Sequence, residues 1–277
     1  MSNPLSQYFR QPSIYIKLPS NGEYYASGAL VMPENSELPV LPMTAIDEIT
    51  YRTPDALYNG QATVSVIQSC VPAIKNAWSV PAPDLDTILI GIRIASYGHD
   101  MDFATACPSC GHESEQTIDL RQVLDQIRSP DYSKSVDAGD MQIFFRPMTY
   151  KDLNNNNQLQ FEQQKLLQVL PDSNIADSDK MNALSVALKK ITEITVLALS
   201  QSIAAIKTPN AMVTDSAYIS EFLQNCDRTL FNRIRDFIID TKSQSEMQPL
   251  RLRCSECDHQ YEQAITLDMS SFFGSAS

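Results

Sequence analysis

Four of the six cysteines fall in two copies of one phrase. Residues 107–120 read CPSCGHESEQTIDL and residues 254–267 read CSECDHQYEQAITL. Set in register at an offset of 254 − 107 = 147, the phrases share seven of fourteen positions: both cysteines, the histidine, and the Glu, Gln, Ile and Leu that follow. Two residues between paired cysteines form a turn tight enough to aim both sulfurs at one ion about 2.3 Å away. A second such turn completes a tetrahedron of thiolates. Cys107, Cys110, Cys254 and Cys257 are therefore the expected ligands of one structural Zn²⁺. Pro108 presets the first turn, and Gly111 supplies a residue free to take positive φ after the second sulfur. In the later copy that place goes to Asp258, a residue type that tolerates it. Beyond the first turn Gln116, Ile118 and Leu120 alternate with Glu115 and Thr117, the pattern of a strand leaving a knuckle. The expectation is a zinc ribbon. A redox Cys-x-x-Cys would sit between a buried strand and a helix, and neither copy does. Disulfides are disfavoured in a reducing compartment. A filled four-thiolate shell leaves no open position, so this zinc would hold shape and catalyse nothing. His112 and His259 remain open as substitute ligands, as hydrogen-bond donors around the site, or as flanking residues.

Other chemistry is sparse. The 8 glycines form no phosphate-cradling loop. His99 stands beside Asp100 with no nucleophile near it in sequence. Asp84 and Asp86, like Asp47 and Glu48, read as acids at helix starts, and Cys70 and Cys226 as core residues. The chain is not expected to be an enzyme. Its formal charge of −12 and pI near 4.6 repel phosphate backbones, so nucleic acid is not an expected partner. No apolar run approaches a membrane span, and the opening MSNPLSQYFRQPS lacks a signal peptide's apolar core. Both point to a soluble protein of the cytosol.

The elements that must position the cysteines follow from periodicity. Ile14, Ile16 and Leu18 alternate with Tyr15 and Lys17 as in a half-buried strand, and Ala29 to Met32 suggest another. PMTAIDE at 42–48 is echoed by PMTYKDL at 147–153, with Thr44 and Thr149 at helix N-caps and Asp47 and Asp152 three residues on. The echo is either two unrelated junctions or a pseudo-duplicated unit. Residues 60–70 suggest a helix. Residues 84–98 form a clearer one, capped by Asp84, ended by Gly98, with Arg93 on the solvent side. Residues 129–140 read as a loop and 141–146 as a strand, after which the chain turns helical, with Asn154–Asn157 as a weak point. A long helix over 180–206 should turn Leu184, Leu188, Ile191, Ile194, Leu197 and Ala198 to one apolar face. Two more helical segments follow between Asp215 and Asp240.

The expected fold is α+β, mainly helical, with its two ribbon knuckles split by a long helical insertion. Its parts would be a β-rich segment at 1–43, a helical region at 44–106, ribbon halves at 107–120 and 254–267, an inserted domain at 121–253, and a loose tail at 268–277.

The stretches LPSNGEYY, PMTAIDEITYRTPDALYNG, SCVPAIKNAW and DLDTILIGIRIASYG through CPSCG resemble the baseplate hub subunits and hub assembly proteins of T-even-type contractile-tailed bacteriophages. The likeness is carried by Asp47-Glu48, residues 54–57, Gly60, Ser69-Cys70 with Pro72, and Tyr97-Gly98. It is strong over residues 14–120 and loose beyond. It implies a non-enzymatic part in the tail baseplate hub, working through contacts with other phage proteins in a hetero-oligomeric assembly. Such a protein would be made in the host cytoplasm and, as a structural subunit, kept in the virion. The alternative is a zinc-ribbon adaptor that touches nucleic acid or a polymerase.

Overall fold

The computed structural model describes residues 3–53, 58–169, 177–245 and 249–264. Residues 54–57 of the family-like stretch, 265–267 of the second cysteine phrase and the tail at 268–277 lie outside the described residues. Among those described, eight α-helices and ten short strands give a mixed α and β chain. It divides into two compact units, residues 1–129 with 245–277, and residues 130–244.

In the first unit β1 (Ile14–Ile16) pairs antiparallel with β2 (Leu38–Val40). Alternation sends Ile16, Leu38 and Val40 inward and Tyr15 outward. The Ala29–Met32 segment makes only an isolated bridge, Leu30 to Ile74, because Pro33 has no N–H to extend a ladder. Thr44 caps α1 (Ala45–Tyr51). Its hydroxyl accepts the Asp47 N–H at 3.2 Å while Asp47 Oδ2 accepts the Thr44 N–H at 2.8 Å, a reciprocal capping box. The Arg10 guanidinium ties this turn to α2 (Gln61–Cys70), reaching Asp47 Oδ2 at 3.1 Å and the Ser69 carbonyl at 2.8 Å. Burial alone would push the Asp47 carboxyl up. Hydrogen bonds from Thr44 and Ser69, with the Arg10 charge, hold it below the usual range.

The next helix, α3 (Ala82–Tyr97), is buried continuously from Thr87 to Ile94. Gly91 is where β1 comes closest, since a Cβ there would meet Ile16 Cγ2 at 3.0 Å. Two expectations fail on this helix. Arg93 is only 3% exposed, with its guanidinium 5.1 Å above the Tyr97 ring centre. A helix enclosed all round leaves it no solvent face, and its aliphatic stem buries readily. Asp84 does not cap the helix either. Pro81 holds the N-cap place, and the buried Asp84 accepts the Ser20 N–H at 2.8 Å and the Tyr25 hydroxyl at 3.1 Å. Burial drives its carboxyl pKa upward against those bonds. Gly98, at φ +91°, ends the helix as its position suggests. There follow the hairpin β3 (Asp100–Ala106) and β4 (Glu113–Asp119), and the short α4 (Leu120–Leu124).

The second unit is built on an antiparallel sheet in the order β5 (Ser135–Ala138), β6 (Met141–Phe145), β7 (Ile203–Lys207) and β8 (Met212–Val213). The segment at 129–140 is thus not all loop: Val136 pairs with Ile143, and both are buried. Thr149 repeats the capping box at the start of α5 (Tyr150–Val169), with bonds of 3.0 and 3.3 Å to and from Asp152. Asn154–Asn157 do not interrupt this helix. Asn156 is buried and its Nδ2 donates to Gln201 Oε1 at 2.8 Å, fastening the start of α5 to the end of α6 (Asp177–Gln201). That tertiary bond outweighs the few tenths of a kcal/mol of poor propensity per residue. The helix expected over 180–206 stops at Gln201. Ile203 and Ile206 instead fill the core beneath β6 from β7, whose ladder satisfies their backbone groups.

Asp215 and Asp227 cap α7 (Ser216–Asn225) and α8 (Arg228–Ser243), the two segments expected there. They cover the sheet with Ile219, Leu223 and Ile234, and Phe145 stacks on Phe237 at 4.3 Å. The apolar face of α6 is only partly used. Ile194 is buried, but Met181, Leu184, Leu188 and Ile191 are exposed. Thr149→Ala should lower the unfolding free energy by about 1 kcal/mol through loss of the cap, read as an earlier urea midpoint at unchanged slope.

Candidate metal centre

Two hairpins of one design form the site. β3 and β4 stay in register up to Ala106 opposite Glu113, so Cys107–His112 is the turn between them. β9 (Leu250–Arg253) and β10 (Gln260–Gln263) end their register at Arg253 opposite Gln260, leaving Cys254–His259 as the matching turn. In each turn the first cysteine N–H donates to the histidine carbonyl, at 2.9 Å in both copies. The residue after the second cysteine donates back to the first cysteine's carbonyl, at 2.9 Å from Gly111 and 3.1 Å from Asp258. Gly111 lies at φ +73° and Asp258 at φ +59°, the left-handed backbone that both residue types were expected to adopt.

The turns face each other. The four Sγ atoms of Cys107, Cys110, Cys254 and Cys257 all lie within 4.8 Å of one another. The short contacts cross between hairpins: Cys107 to Cys257 at 3.7 Å and Cys110 to Cys254 at 3.6 Å. Cys107 and Cys254 are buried, while Cys110 and Cys257 sit at the rim. Burial would push the Cys107 thiol up, but backbone N–H groups of Cys110 and Ser109 aimed at its sulfur, with neighbouring thiols, bring it down to about 7. Cys254 is lowered by the equivalent amides of Cys257 and Glu256. Cys110 moves up to about 12: the His112 amide favours its thiolate, but the sulfurs of Cys257, Cys254 and Cys107 disfavour another negative charge. Such a set can hold a metal ion. Four thiolates sharing one zinc at about 2.3 Å stand about 3.8 Å apart, and the cross-hairpin contacts are already at that separation.

Further contacts join the hairpins. Thr105 Oγ1 donates to Gln263 Oε1 at 3.0 Å, and Ser255 Oγ lies 3.4 Å from His112 Nε2. His112 therefore stands beside the sulfurs in contact with the opposite knuckle. His259 lies nearly parallel to Tyr261 with ring centres 6.5 Å apart. Thr105 and Ser255 carry no sequence signal of this role. Gln263 stands out through its identity with Gln116, but Gln116 donates to Ser114 Oγ at 3.3 Å in its own strand, so the repeat does not signal the bridging role either. The remaining candidates stay away from the site. Cys70 is buried near Arg10, and burial pushes its thiol up to about 12. Cys226 ends α7, and His99 makes an exposed ion-pair contact to Asp100 at 3.6 Å.

No helix among the described residues is long and apolar enough to cross a membrane. No curated protein and no solved structure matches the chain significantly. The family model described as T4 bacteriophage base plate protein matches residues 16–274, nearly the whole length and both cysteine turns. The chain belongs to the T4 bacteriophage base plate protein family.

Proposed function

We propose that this protein is a component of the phage tail baseplate hub, or a factor in the hub's assembly, acting through protein–protein contacts without a catalytic centre. The observation that carries this reading is the family match over residues 16–274. Cys107, Cys110, Cys254 and Cys257 hold one Zn²⁺ as the core of a zinc ribbon. Zinc suits four thiolates in a tetrahedron, brings no redox chemistry, and has no open position once the shell is full. The metal stiffens the scaffold.

The contact surface includes α6. Met181, Leu184, Leu188 and Ile191 recur at intervals of three and four residues and are exposed. Ser185 and Thr192 border them without charge. An apolar stripe at that spacing suits the helix of a neighbouring baseplate protein. A net charge of −12 argues against a nucleic-acid partner. Assembly takes place in the host cytoplasm, and a structural subunit would remain in the tail. Deleting the gene from the phage is expected to leave infected cells without complete tails by electron microscopy. Normal tails from the deletion would remove the hub reading.

A further inference from the structure

Five elements recur in the same order in the two halves of the chain, each half with additions of its own. Each begins with an antiparallel strand pair, β1–β2 or β5–β6. Each pair is followed by Pro-Met-Thr and a helix closed by a Thr–Asp capping box, Thr44 with Asp47 and Thr149 with Asp152. Each half has a ten-residue helix, α2 or α7. VIQSC (66–70) and FLQNC (222–226) lie at their C-terminal ends, with Cys70 the last residue of α2 and Cys226 the first after α7. Each then has a sixteen-residue helix, α3 or α8. In these, Thr87-Ile88 and Ile92-Arg93 match Thr229-Leu230 and Ile234-Arg235, and Ile92 and Ile234 are both fully buried. Each half closes on a hairpin whose turn reads Cys-x-x-Cys-x-His with one set of backbone bonds.

No single likeness decides the matter, since capping boxes and metal knuckles recur in unrelated proteins. Five likenesses in the same order, two of them helices of equal length, are not expected of unrelated segments. The halves differ most between the capped helix and the ten-residue helix, and also in two connections: residues 17–37 against 139–140 within the strand pair, and 71–81 against 226–227 between the two later helices. Thr44 to Val66 spans 66 − 44 = 22 positions, whereas Thr149 to Phe222 spans 222 − 149 = 73. The extra length holds most of α5, with α6, β7 and β8.

We infer that the chain is a tandem duplication of one module, and that the four-thiolate site is a metal clasp in which each copy supplies half of the ligands. This rests on the metal reading above. The stretch between the knuckles is then a second copy with its own additions. The cross-hairpin pairing, first cysteine of one turn to second cysteine of the other, is what two equivalent turns facing each other about a local pseudo-two-fold axis produce. The last hairpin, β9–β10, groups with residues 1–129 and leaves the compact unit formed by the rest of its own copy. Among the described contacts, Thr105–Gln263 and Ser255–His112 are the polar bonds that accompany the sulfurs in joining it there.

Equivalent half-sites should be interchangeable. The test is a full-length chain with the two turns exchanged at the residues flanking the second cysteine: Ser109→Glu and Gly111→Asp in the first, with Glu256→Ser and Asp258→Gly in the second. It should bind one zinc, with a Kd within about tenfold of the parent. Loss of zinc from an exchanged chain that keeps the parent's circular dichroism would overturn the equivalence while leaving the metal reading intact. If the exchanged chain misfolds, hydrogen exchange on the unaltered protein decides. Chelation should cut amide protection at least about tenfold across β9–β10 while β5–β8 keep theirs. A β9–β10 hairpin that stays protected without metal would overturn the clasp. A parent chain that binds no zinc at all would remove the metal reading itself.

Discussion

Replacing Cys254 and Cys257 together by serine is expected to abolish zinc binding and free the last hairpin from the first unit. Serine is nearly isosteric, but its hydroxyl does not ionise near neutral pH, so two of four anionic ligands vanish with little change in shape. Metal content measured by atomic emission should fall from one ion per chain to none. In small zinc fingers, structural zinc carries an apparent binding free energy of about 10–16 kcal/mol. A whole domain is held together by only about 5–15 kcal/mol. The first unit has a buried core of its own around Leu38, Ile67, Ile88 and Ile92, so it should stay folded but weaker. The expected result is a thermal transition lower by at least about 5 °C, matched by the wild type in excess chelator. Identical melting with and without metal would show that the sulfurs contribute nothing to stability.

The double substitution Leu188→Glu with Ile191→Glu is expected to block tail assembly while leaving the isolated chain as stable as before. Both side chains are exposed, so charge there costs the folded monomer within about 0.5 kcal/mol. At an interface the same carboxylates would be stripped of water without a partner, costing several kcal/mol and thus a thousandfold or so in affinity. The check is complementation of a gene deletion, scored by plaque formation, beside a melting curve of the purified variant. Full complementation would show that this face of α6 has no essential partner.

Much of the architecture can be read directly from residue types. The cysteine turns declare themselves through spacing, and Gly111 and Asp258 through the backbone they must adopt. Thr44 and Thr149 announce their helices because a capping box needs only residues three apart. Errors arise wherever a distant partner decides. The run Asn154–Asn157 reads as a weak point of its helix until Gln201 supplies the Asn156 bond across α5 and α6. Ile203 and Ile206 read as the end of a helix, and only the open edge of β6 makes them a strand. Arg93 looks like a surface residue because a one-sided helix is the common case, and α3 is enclosed all round. At the site, the four ligands are visible in sequence while Thr105 and Ser255 are not, since a hydroxyl that bridges two hairpins has no spacing rule.

The order in which the ribosome delivers the sulfurs has a cost of its own. Cys107 and Cys110 emerge 147 residues ahead of Cys254 and Cys257. At about 5–20 residues per second, that leaves roughly 7–30 seconds in which a nascent chain shows only a pair of thiols. On a crowded polysome the nearest complementary pair then belongs to a neighbouring chain. Ions captured early would staple two polypeptides together, so the yield of monomer should fall as free zinc rises during synthesis and recover when the metal is added after release.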